Sequence, residues 1–97
     1  MARTMIVNKQ LLDRLRTAFT RYGMQILADP NITINFFPTE FEEYFEVLLT
    51  SPKFQGMRVT ERQNSIWSFL RADPSVSNED LNRVSRIATS AEAVEII

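Results

Sequence analysis

Lys53, Arg58, Arg62 and Arg71 punctuate one short stretch that also holds Gly56, Gln63 and the only tryptophan, Trp67. Cationic side chains at this density suit contact with phosphate, which positions a nucleic-acid backbone without reading bases. Trp67 suits base stacking or a protein anchor, since tryptophan is enriched at binding hot spots. Each of these residues also has a plainer reading, and that reading carries more weight. The cations fit a solvated helix face that Glu61 partly neutralises, Trp67 fits a core-edge position, and Gly56 fits turn geometry.

Other chemistry finds less support. Glu40, Glu42, Glu43 and Glu46 form an acidic cluster, but without the spacing of a calcium loop and without a nucleophile or base to work with. They read as a solvated edge that discourages strand-to-strand aggregation. The chain contains no histidine and no cysteine. That removes thiolate catalysis, disulfides and the commonest metal ligands and general bases. The chain is therefore not expected to be an enzyme or to hold a metal or cofactor.

At 97 residues the chain is read as a single domain over 1–97. Ten per cent aromatic residues, seven of them phenylalanine, supply enough bulk to close a core without a metal or crosslink. A formal net charge of −1 leaves no global attraction to nucleic acid, so any such contact would be local. No apolar run approaches the roughly 20 residues that span a bilayer. The opening MARTMIVNKQ is too short and polar for a secretory signal, which makes the cytoplasm the expected location.

The elements that must position these residues can be read from periodicity. Asn8 suits an N-cap, Leu11, Leu12, Leu15 and Phe19 recur at helical spacing, and Lys9, Arg14, Arg16 and Arg21 fall opposite. Gly23 then suits a C-cap. Met24–Leu27 reads as a short strand broken at Asp29-Pro30, and Ile32–Phe36 alternates as a second strand that Pro38 stops. Phe36-Phe37 reads as core. Tyr44–Thr50 reads as a strand, although Phe41, Phe45 and Leu48 also fit a helical face. After a turn at Phe54–Met57, a helix is expected from Arg58 to Arg71. Val59, Ile66 and Leu70 would line its buried stripe, with Arg58, Glu61 and Arg62 outward. Ser77–Asp80 is a helix start, Arg83–Thr89 fits either a continuing helix or a strand, and Ser90–Ala93 regains helical character.

Between Tyr44 and Leu70 the chain reads YFEVLLTSPKFQGMRVTERQNSIWSFL. Its order of Ser51, Phe54, Gly56, Val59, Arg62-Gln63-Asn64, Trp67 and Leu70 resembles, without gaps, the centre of the BolA family of stress-induced, morphogen-like proteins. The resemblance extends loosely over a core of residues 8–94. It implies an α+β domain of α-β-β-α-α-β order related to the KH-type nucleic-acid fold, with a three-stranded sheet and helices on one face. It thus favours a strand at Arg83–Thr89, and it places the loop between the first two strands at about 30–37. It also implies a non-enzymatic regulatory or adaptor role through a monothiol glutaredoxin partner, or a role in transcription. The alternative is a KH-type nucleic-acid module. Members of that family usually carry histidine in the arginine triplet, where Gln63 stands here. They carry a second, cluster-ligating histidine near the place of Asn82 or Arg83, so iron–sulfur ligation is expected to be lost. The implied partner surface is Lys53, Gly56, Arg58, Arg62, Gln63, Trp67 and Arg71.

Overall fold

The computed structural model describes residues 9–92. The apolar spacing around Leu11, Leu15 and Phe19 produces helix α1, Lys9–Gln25, which buries those residues with Ala18 and Tyr22. Strands β1, Thr33–Pro38, and β2, Phe45–Thr50, follow, then a single 3₁₀ turn at Pro52–Phe54. Helix α2 spans Val59–Ala72, a short helix α3 spans Asn78–Asn82, and strand β3, Val84–Ser90, closes the domain. This is an α+β architecture around one sheet.

Sheet order is β1-β2-β3, with β2 antiparallel to β1 and parallel to β3. The parallel pair needs a crossover, and α2 with α3 provides it. Strand alternation sends Ile34, Phe45, Val47, Leu49, Val84 and Ile87 inward to the helices. Asn35, Phe37, Glu46 and Arg86 take the opposite, exposed face. Rings run through the interior: Phe19 of α1 meets Phe36 of β1 at 6.4 Å, Phe36 meets Phe45 of β2 edge-on at 5.6 Å, and Tyr22 of α1 meets Phe69 of α2 edge-on at 5.6 Å. Offset and edge contacts of this kind favour the ring quadrupoles.

Charged side chains fasten the outside. Arg14 forks onto Asp80, Nε to Oδ2 at 3.0 Å and Nη2 to Oδ1 at 2.8 Å, tying α1 to α3. Asp80 also completes a capping box with Ser77, whose hydroxyl accepts from the Asp80 N–H at 3.0 Å. Arg21 pairs with Asp73 at 3.0 Å, joining α1 to the end of α2. Ser51 donates to Asp29 at 2.6 Å, which fixes the loop after α1 against the 3₁₀ turn.

Several expectations need correction. Gly23 does not cap α1. It is buried inside the helix, where an added Cβ would stand 2.6 Å from Ile32 Cγ2 and 2.8 Å from the Asp29 carbonyl. Met24–Leu27 is not a strand, because α1 runs on to Gln25 and the chain reverses with Ala28 in the left-handed region at φ 53°. Glu40–Glu43 forms a turn, so the helical reading of 40–49 fails, and the loop between β1 and β2 lies at 39–44 rather than 30–37. Phe36 packs on the core, but Phe37 is exposed. Val59 does not share the buried stripe of Ile66 and Leu70, for it is 66% exposed. Position 83–89 resolves in favour of strand. Ala91 and Glu92 form a bend, while the Asn8 cap and the helical character at Ala93 fall outside the described residues.

Candidate functional site

Helix α2 and strand β3 do not close completely against each other. Between them lies a groove of about 520 Å³, walled by Val59, Gln63 and Trp67 of α2 and floored by Ser85–Thr89 of β3. These three helical residues sit four apart, the spacing that aligns side chains along one helix face.

Gln63 bridges the two walls. Its Nε2 donates to the Ile87 carbonyl at 2.7 Å, and its Oε1 accepts from Trp67 Nε1 at 3.2 Å. The indole is thereby oriented, half-buried, with the Arg71 guanidinium over its ring at 6.0 Å. Gln63, Trp67 and Arg71 form one connected wall.

Arg62 behaves otherwise. Instead of pointing outward, it curls back over the Phe54 ring at 5.4 Å. It donates to the carbonyls of Met57 at 3.1 Å and Phe54 at 2.9 Å, and to Thr89 Oγ1 at 3.3 Å. A guanidinium has donors in a fixed fork, and here that fork braces the turn before α2. The turn itself supplies the acceptors: the Met57 carbonyl just before α2 takes the guanidinium, and the Phe54 carbonyl takes it beside the Met57 N–H. The expected cationic strip is therefore broken at its centre.

The remaining predicted residues lie at the N-terminal end of α2. Lys53 is exposed on the 3₁₀ turn, and Gly56 adopts φ +88°, which explains the glycine by backbone geometry alone. The Arg58 N–H donates to Glu61 Oε1 at 3.2 Å, and its side chain remains exposed. Val59 and the floor residues Ser85–Thr89 carry no sequence signal for a groove. Val59 looked like core by periodicity. Arg86 had no legible face, because an irregularity in the β2–β3 pairing after Phe45 shifts the alternation of β3.

A second hollow of about 600 Å³ lies at the β1–β2 turn, lined by Pro38, Phe41, Tyr44, Glu46 and Ser85 among others. It contains none of the predicted site residues. Among the described residues, no group of three or more acidic, histidine or cysteine side chains is placed to hold a metal ion. No described helix is long and apolar enough to cross a membrane.

No family model, curated protein or solved structure matches this chain.

Proposed function

We propose that this chain is a cytoplasmic, non-catalytic adaptor of the BolA-like kind, which regulates by holding a protein partner in the α2–β3 groove. The observation that carries this reading is the groove wall. Val59 is exposed at its mouth, and Trp67 is held in place by Gln63 beside a strand at the edge of the sheet. An oriented indole next to exposed aliphatic surface is the composition of a protein anchor. By resemblance the partner is a monothiol glutaredoxin.

Shared iron–sulfur ligation does not fit these residues. At the place of the family's ligand stand Asn82, an amide, and Arg83, a cation paired with Glu43. Neither supplies the thiolate or imidazole that such a centre needs.

The KH-type alternative has less support. Such modules clamp nucleotides with a GXXG loop. The two glycines of this chain, Gly23 and Gly56, lie too far apart to form one, and the connection from α2 to α3, Asp73–Ser77, has none. Arg62, central to the cationic strip, is occupied by main-chain carbonyls.

The test is a calorimetric titration with a purified monothiol glutaredoxin, run beside titrations with single-stranded and duplex DNA at low and moderate salt. The adaptor reading expects a glutaredoxin complex that Val59→Arg weakens at least about tenfold, or about 1.4 kcal/mol. Salt-sensitive DNA binding without glutaredoxin binding would establish the module reading instead.

A further inference from the structure

A bare strand edge is a template for another strand, and folded proteins usually cover it. On β1 the Arg16 guanidinium approaches the Ile34 carbonyl at 3.5 Å, and the strand ends at Pro38, which has no N–H. On β3 the cover is thinner. Gln63 takes the Ile87 carbonyl, and no described side chain bonds any other main-chain group along the groove floor.

Which groups those are follows from alternation. The Ser90 carbonyl accepts from the Ser51 N–H at 3.0 Å, so Ser90 turns toward β2. Thr89 then turns the other way, as Ile87 does. The Thr89 N–H and C=O and the Ile87 N–H face the groove. A row of alternating donors and acceptors matches one occupant, an extended peptide that lies about 4.8 Å from β3 and continues the ladder.

Charge selects the kind of peptide. No carboxylate lines the groove; at its rim Arg86 lies on the exposed face of the sheet, where alternate side chains of an added strand would fall, and Arg71 lies over Trp67 at the wall. Glu46 stands beside Arg86 in register but makes no ion pair with it among the described residues. Arg86 is left with its charge available.

We propose that the β3 edge accepts an extended acidic segment of a protein partner, with an aspartate or glutamate against Arg86. The Gln63 amide acts as a latch that leaves the Ile87 carbonyl when the strand docks. This deepens the adaptor reading and rests on it.

Isotope-labelled full chain titrated with three eight-residue peptides, followed by NMR, tests it. One peptide alternates valine or threonine with glutamate, the second replaces glutamate by lysine, and the third places proline at two central positions of the first. The acidic peptide is expected to slow exchange of the Ile87 and Thr89 amides and to move the Gln63 side-chain NH₂ signals. The lysine and proline versions should bind at least about tenfold more weakly. Arg86→Glu should reverse the preference between acid and base. Equal affinity for all three peptides, shifts confined to another face, or self-association of the chain through β3 would overturn the proposal. Glutaredoxin binding that Val59→Arg removes, with no peptide binding, would overturn strand addition and leave the adaptor reading intact. Peptide binding at β3 without glutaredoxin binding would do the reverse to the partner assignment.

Discussion

The side-chain amide of Gln63 joins helix α2 to the edge of the sheet, donating to the Ile87 carbonyl at 2.7 Å while accepting from Trp67. One residue thus caps a strand edge and orients the indole beside it. Gln63→Ala should cost about 1 kcal/mol in urea unfolding, the ordinary net worth of such a hydrogen bond. It should also change the emission of Trp67, since the indole loses its acceptor. An unchanged spectrum would mean that Gln63 does not orient the ring.

Arg62 is a brace rather than a contact residue. Arg62→Ala removes the donor to the Met57 carbonyl and one of the two at Phe54, and is expected to cost about 2 kcal/mol, in the range of hydrogen bonds from charged donors. Arg62→Lys should rescue little, because an ammonium cannot reproduce the fork. DNA binding, measured at low salt, should not respond to either change. A large loss of DNA affinity with stability intact would restore Arg62 to a phosphate-binding role.

Two aspartates set the acid limit of the fold. Hydrogen bonding from Arg14 is the main influence on Asp80; it outweighs burial and holds the carboxyl below its ordinary range, with help from Ser77. At Asp73, burial pushes upward, but hydrogen bonds from Ser75 and the Arg21 cation together bring the carboxyl below the usual value. Both folded-state values lie under the unfolded one. Their stabilisation is therefore complete above about pH 4 and is lost as pH falls through the folded values. Unfolding free energy should be flat in this respect from pH 7 to about 5 and drop below about 4. Asp80→Asn should lower the plateau and flatten the drop, and an unchanged acid slope in that variant would contradict the assignment.

Gly23→Ala reverses the usual helix rule. Alanine in a helix interior normally gains about 1 kcal/mol over glycine. Here the new methyl would press on Ile32 and on the Asp29 carbonyl, whose main chain yields poorly. Overpacking of this kind costs about 1–3 kcal/mol, so the net change should be destabilising. Thermal unfolding decides the sign, and a raised Tm would show that the loop after α1 relaxes freely.

Much of the fold is legible from local pattern. The spacing of Leu11, Leu15 and Phe19, the alternation of Ile34 and Phe36, and the run Phe45–Thr50 mark α1, β1 and β2, because period 3.6 and period 2 each leave one apolar side to bury. Ser77 with Asp80 marks the start of α3, since a cap needs only residues three apart. The groove is less legible. Gln63, Trp67 and Arg71 stand out in the sequence, and Val59 and Arg86 do not. Periodicity assigned Val59 to a stripe that the sheet does not reach, and the irregularity in β3 hides which way Arg86 faces.

The amino-acid sequence alone determined that thiolate, disulfide and imidazole chemistry are closed to these 97 residues, which hold no histidine and no cysteine. It also marked α1, β1, β2, α2 and the start of α3, whose signals lie within a few residues of one another, whereas β3 was open between helix and strand. Only the tertiary structure decided that Gly23 makes room for Ile32, that Arg62 turns inward, and that Gln63 meets Ile87. The Gly23 contact needs the loop after α1 folded back on the helix, and the Gln63–Ile87 and Arg62–Thr89 bonds join segments more than twenty residues apart that meet only after β3 has crossed over to lie parallel to β2.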